Sequence, residues 1–200
     1  MRRFEGTEDI TRALTLLAEY LDFARTPPLA LLVVGGSALS MQGSPTRTTR
    51  DIDVIALVRE ETIPRTLGKA DLFPAYLEEA KDKVAVDLGL PRDWINPGPT
   101  SLLDFGLPQG CLERALRVQY GPRLAVYFID RFDQIHLKLY AAVDQGGGRH
   151  LTDLLAQQPS PEELQMAARW TITQDPSPGF RERLHSLLMQ MGFEDAGPKS

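Results

Sequence analysis

The chain is expected to fold as an α+β protein, with a mixed sheet flanked by helices and a helical C-terminal subdomain. Three observations lead there. An apolar run, Leu29 to Val34, stops abruptly at Gly35-Gly36-Ser37. In a second run, Arg47 to Val58, Asp51 and Asp53 alternate with Ile52 and Val54 as on a strand. From Arg131 onward the apolar spacing changes to a helical period. At 200 residues, 42% hydrophobic and 24% charged, the chain has material for one core plus a small helical appendage, which excludes a disordered protein.

Taken in order, Thr7 is a plausible N-cap, Glu8 and Asp9 suit a first turn, and Ile10, Leu14, Leu17 and Leu21 form a helical stripe ending before Pro27-Pro28. The Leu29–Val34 strand follows. After the glycines, Ala38 to Gln42 is expected as a short helix capped by Ser37. Beyond the Asp-containing strand, Leu77, Ala80, Val84 and Leu88 mark a helix from about Pro74, and Pro91, Pro97, Gly98 and Pro99 mark a loop-rich passage. Arg117 to Tyr120 and Leu124 to Ile129 read as two strands joined near Gly121-Pro122.

The C-terminal part is all helical in pattern. Phe132, Ile135, Leu139 and Ala142 share a stripe, Gly146-Gly147-Gly148 breaks it, and Ser160-Pro161-Glu162-Glu163 has capping-box spacing. Phe180, Leu184, Leu187 and Met191 mark a last helix before a polar tail. The expected division is residues 1–130 and 131–200.

Charge and cysteine content narrow the function classes. A net charge of −5 argues against a wholly basic nucleic-acid-binding surface, though not against a local basic patch. The single Cys111 forms no internal disulfide and fits a reducing, cytoplasmic setting. No apolar run is long enough to span a bilayer, and Arg2 and Arg3 lead into Glu5, Glu8 and Asp9 with no apolar signal core, so no membrane partner is expected.

The chemistry concentrates at two places. Gly35, Gly36 and Ser37 end a buried strand in a turn without Cβ atoms, where backbone N–H groups can approach an anion. Asp51 and Asp53, two residues apart on a strand, put both carboxylates on one face. Paired carboxylates next to a phosphate-binding turn suit Mg²⁺, which is held by one or two carboxylates together with substrate phosphates.

This arrangement resembles the nucleotidyltransferase superfamily, with its polymerase-β-like fold. The wording is closest to the bacterial toxin-type branch of AbiE-type abortive-infection and MenA-like proteins, through Gly35-Gly36-Ser37-Ala38-Leu39 followed by Arg47, Thr49, Asp51, Ile52 and Asp53. The resemblance implies a catalytic core over 1–130, in which Gly35, Gly36, Ser37 and Arg47 hold the phosphates of an NTP. Asp51 and Asp53 would bind Mg²⁺, with Mn²⁺ as a substitute. It also implies that Lys138, in Ile135-His136-Leu137-Lys138-Leu139, reaches the triphosphate, while Asp153 of Asp153-Leu154 is expected to orient Lys138 or cap its helix rather than bind metal. The implied acceptor is tRNA or another RNA, and the implied partner is an antitoxin protein.

One expected part has no clear owner. Many nucleotidyltransferases carry a third carboxylate on a later strand, which completes metal binding or takes the acceptor proton. Asp104 and Asp130 are the candidates; Asp87 and Asp93 flank a family-like segment that ends Trp94-Ile95-Asn96, and Pro97 stands at the next position, where an acidic residue would be sought. The expected activity is therefore Mg²⁺-dependent transfer of NMP to a hydroxyl acceptor. Two alternatives stand beside it: a nucleotide- or partner-binding module without catalysis, and a transferase acting on an antibiotic-like small molecule or a protein.

Overall fold

The computed structural model describes residues 4–43 and 48–193, which divide into two compact units, 1–130 and 131–200. The first unit is the expected mixed sheet with flanking helices. Helix α1 (Thr7–Phe23) precedes strand β1 (Leu29–Val34), helix α2 (Gly35–Met41), strands β2 (Ile52–Arg59) and β3 (Thr66–Lys69), and helix α3 (Ala75–Leu88). Strand β4 (Ile95–Asn96), a 3₁₀ helix (Gly98–Phe105), helix α4 (Cys111–Arg114) and strands β5 (Leu116–Gly121) and β6 (Leu124–Phe128) complete it.

The six strands run in the order β3-β2-β1-β6-β5, with β4 pairing β2 off this path. Strand β1 is antiparallel to β2 and parallel to β6. The end of β1 therefore lies between the start of β2 and the end of β6. Strand β4 adds in parallel to the first two residues of β2, setting Asp53 opposite Asn96, while β3 pairs with the far half of β2.

Alternation along the strands sorts the two sheet faces. Leu31 and Val33 of β1, Ile52 and Val54 of β2, and Val126 and Phe128 of β6 are buried with Leu14, Leu17 and Leu21 of α1 and Leu77 and Val84 of α3 in one core. Asp53 points to the other face. Trp94 is fully buried in that core, its indole N–H donating to the Lys81 carbonyl at 3.1 Å and its own carbonyl accepting from Ile52 N at 2.7 Å. It anchors the short β4 beside β2.

Several local expectations are corrected. Helix α2 begins at Gly35 rather than Ala38, and Val34, not Ser37, occupies its N-cap. Gly35 takes φ +79°, so the chain turns into the helix one residue after the strand ends. Gly6 rather than Thr7 caps α1, and the Thr7 hydroxyl donates instead to the Ser40 carbonyl at 3.0 Å. The passage from Pro91 to Pro99 holds β4 and the start of the 3₁₀ helix.

The second unit is helical: α5 (Arg131–Asp144), α6 (Gly148–Ala156), α7 (Pro161–Gln174) and α8 (Pro178–Gln190). Ile135 and Leu139 of α5 share a core with Leu154 of α6, Leu164 and Ala167 of α7, and Phe180 and Leu184 of α8. The Ser160–Glu163 capping box is formed, and Glu163 also receives the Arg131 guanidinium on both carboxylate oxygens, at 2.6 and 3.0 Å. Trp170 packs edge-on to His136 and Tyr140. The expected polar tail after Phe193 lies outside the described residues, and among those described no helix is long and apolar enough to cross a membrane.

Candidate functional site

The two glycines meet Asp53 and Thr49 where β1 leads into α2 beside the start of β2. Val34 is in register with Asp53, which brings the turn after β1 against the start of β2. A Cβ on Gly35 would stand 3.1 Å from Asp53 Oδ2, and a Cβ on Gly36 would stand 3.1 Å from Thr49 Oγ1. Thr49 in turn donates to the Asp51 carbonyl at 3.1 Å, and its backbone is held on both sides by Phe4. Each glycine thus admits one group of the Thr49-x-Asp51-x-Asp53 alternation. Asp51 and Asp53 are both half-buried, and Asp53 lies against the turn.

Ser37 is fully buried, and its hydroxyl faces the Val34 carbonyl at 3.4 Å. Its backbone lies in the first turn of α2 while its side chain is turned inward. Arg47 lies outside the described residues. Arg50 pairs with Asp93 at 3.0 Å, both about half exposed.

The two candidate third carboxylates, Asp104 and Asp130, and the flanking Asp87 and Asp93 each have their own surroundings. Asp87 accepts from the Tyr20 hydroxyl, Asp93 from Arg50, and Asp104 is ion-paired with Lys69. Asp130 follows β6, whose parallel register with β1 brings Phe128 beside Val33 at the same sheet edge as Gly35 and Asp53. Gln42, just past α2, donates to the carbonyls of Phe128 and Ile129 at 3.0 and 2.7 Å and so ties down the chain leading to Asp130.

Opposite Asp53, β4 presents an amide. Asn96 Nδ2 donates to Asp53 Oδ1 at 3.3 Å, a contact that sequence reasoning missed because two strand residues between prolines carry no periodic signal. Among the described residues, no group of three or more His, Cys, Asp and Glu side chains converges on a metal-sized site.

A family model described as "Nucleotidyltransferase of unknown function (DUF6036)" matches residues 9–157. The chain belongs to this nucleotidyltransferase family. The matched segment contains the whole sheet, both aspartates, and helices α5 and α6 of the second unit, whereas α7 and α8 lie beyond it. No curated protein and no solved structure matches the chain.

Within the second unit, the family segment includes an ion pair that bridges α5 and α6. Lys138 Nζ lies 2.9 Å from Asp153 Oδ2, their side chains only 18% and 16% exposed, and Arg149 Nε approaches the same oxygen at 3.8 Å. Burial, and then the Lys138 charge, hold the neighbouring His150 below the usual imidazole range. His136 is buried, with its Nδ1 2.8 Å from the Phe132 carbonyl, which suits a structural part.

Proposed function

We propose that this family member transfers an NMP group from an Mg²⁺-bound NTP to a hydroxyl on RNA, such as tRNA, in the manner of a toxin-type nucleotidyltransferase held in check by an antitoxin protein. The observation that carries the reading is the contact between the Gly35 turn and the Asp53 carboxylate, which joins a backbone fit for phosphates to an acidic pair. The donor set suits the metal. Mg²⁺ prefers hard oxygen ligands and is commonly held by one or two carboxylates plus substrate phosphates, without a third protein acid.

When bound with the nucleotide, the metal would neutralise phosphate charge and align the attacking and leaving oxygens. Asp51 and Asp53 would hold it. The backbone N–H groups of Gly35, Gly36 and Ser37 would receive the phosphates, the Ser37 hydroxyl being turned away. Arg47 would add a cationic contact. In the reaction the acceptor oxygen bonds to the α-phosphorus, the bond from that phosphorus to the β-phosphate oxygen breaks, and pyrophosphate leaves. The acceptor proton passes to a base, for which Asp130 is our candidate, supported by the parallel pairing of β6 with β1.

A second reading, a module that binds nucleotide without transfer, is favoured by one observation: the strand position beside Asp53 holds the amide of Asn96 rather than a carboxylate. One experiment separates the two. Each α-labelled NTP is incubated with Mg²⁺ and total RNA, or with total protein and small-molecule extracts, using wild type and the Asp51→Ala/Asp53→Ala variant. Label in RNA that vanishes in the variant supports the proposal, and label in protein or small molecules redirects the acceptor. NTP binding without any label favours the module.

A further inference from the structure

Asp53 is flanked by the Gly35 turn on one side and by β4 on the other, and the β4 side is built from residues to which the proposed reaction gives no part. Buried Trp94 seats β4 against β2, and the parallel register puts Asn96 beside Asp53. Pro97 then sends the chain back so that Gly98 N donates to Asn96 Oδ1 at 2.9 Å. That N–H decides which end of the carboxamide is oxygen. The NH₂ group is left facing Asp53 Oδ1 at 3.3 Å, with the Asp93 carbonyl at 3.5 Å. On the opposite side Asp53 Oδ2 lies against Gly35.

The fit constrains Gly98 as well. A Cβ there would stand 2.8 Å from Asn96 Oδ1, closer than the amide tolerates. A neutral amide beside Asp53 donates to the carboxylate without adding a like charge, whereas an acid in its place would repel it. The pair therefore orients Asp53 rather than extending the acidic set.

We infer that Asn96 is a positioning residue, whose amide, locked by the Gly98 N–H, orients the Asp53 carboxylate for divalent-cation binding. The inference rests on the proposed role of Asp53 as a metal ligand. Outer partners that orient a ligating carboxylate typically change metal affinity by roughly 10- to 100-fold when removed.

The test is Mn²⁺ binding to the full chain, read from the electron paramagnetic resonance of free Mn²⁺, for wild type, Asp53→Ala, Asn96→Ala, Gly98→Ala and the Asn96→Ala/Gly98→Ala double variant, with circular dichroism to check folding. Asn96→Ala is expected to weaken binding about 10-fold. Gly98→Ala, which keeps the amide but displaces its oxygen, is expected to weaken it in the same direction, and the double variant to be no weaker than Asn96→Ala alone. Such non-additivity is what two changes acting through one amide produce, and a merely structural loss would not give it. Asp53-dependent binding that is indifferent to Asn96, or additive losses in the double variant, overturns the positioning role alone. Absence of Mn²⁺ binding by wild type, or binding unchanged in Asp53→Ala, overturns the metal site and this inference together.

Discussion

Gly35 and Asp53 touch across the β1–β2 pair: a side-chain carbon on the glycine would stand 3.1 Å from the carboxylate Oδ2, at a backbone φ of +79°. Gly35→Ala therefore meets both a left-handed backbone and a crowded acid. We expect a loss of about 1–2 kcal/mol of stability from the backbone alone, together with loss of divalent-cation binding as Asp53 is displaced. Gly36→Ala has no left-handed backbone to maintain but presses on Thr49, so its cost should be smaller, about 1 kcal/mol. Thermal unfolding and Mn²⁺ titration of the two variants would check the order.

Asp51→Asn and Asp53→Asn keep shape while removing charge. Both residues are half-buried, so each variant should stay within about 1 kcal/mol of wild type in stability while NMP transfer falls to background. Denaturant unfolding paired with the label-transfer assay separates the two effects. A large stability loss with transfer retained would mark the aspartates as structural.

Lys138 and Asp153 answer differently to truncation because Arg149 stands on one side only. Asp153→Ala removes the carboxylate from a largely buried ammonium, and we expect a cost of about 2 kcal/mol, below the roughly 3–5 kcal/mol of a fully buried pair. Lys138→Met leaves Asp153 with Arg149 at 3.8 Å and should cost less. Chemical denaturation of the two variants would show whether the asymmetry is real.

Acid should act through two arginine-held glutamates. Hydrogen bonds from Arg117 hold Glu60, and from Arg131 hold Glu163, below the usual carboxylate range in the folded chain. Folding then lowers each pKa, so the stabilisation is complete above the unfolded value of about 4.3 and is lost as pH falls through the lower folded one. The melting temperature should hold steady from neutral pH to about 4.5 and decline below it. Glu163→Gln keeps a capping-box residue but loses the charge, so part of that decline should disappear in this variant.

Helices α7 and α8 carry a further expectation. They lie beyond the family segment yet supply Leu164, Ala167, Phe180 and Leu184 to the core around α5. Removal of residues 158–200 should expose the apolar face of α5 and cost the second unit its cooperative unfolding, as followed by circular dichroism.

Much of this was legible along the chain, and the reason is periodicity. The run from Leu29 to Val34 is buried at every residue and announces a central strand, Asp51 and Asp53 alternate with core residues, and the stripes of α1, α3 and α5 repeat at helical spacing. Local chemistry likewise announced the Ser160–Glu163 cap. Such signals arise because each element must hide one face, and the pattern of hiding is written residue by residue.

Other features were decided only by packing. Strands β3 and β4 are four and two residues long, too short for a pattern, and exist because β2 offers an edge to pair with. Ser37 turned its hydroxyl inward because α2 starts at Gly35, one residue past the strand. Asp87, Asp93 and Asp104 look alike in a row of letters, and only the tertiary structure gives them their separate partners, Tyr20, Arg50 and Lys69. The chain itself announced the Gly-Gly turn and the Asp-x-Asp strand on which the proposed chemistry rests. The tertiary structure decided that Asn96, 43 positions from Asp53, would hold it, because a contact between distant residues depends on how strands register and on a buried tryptophan that seats them.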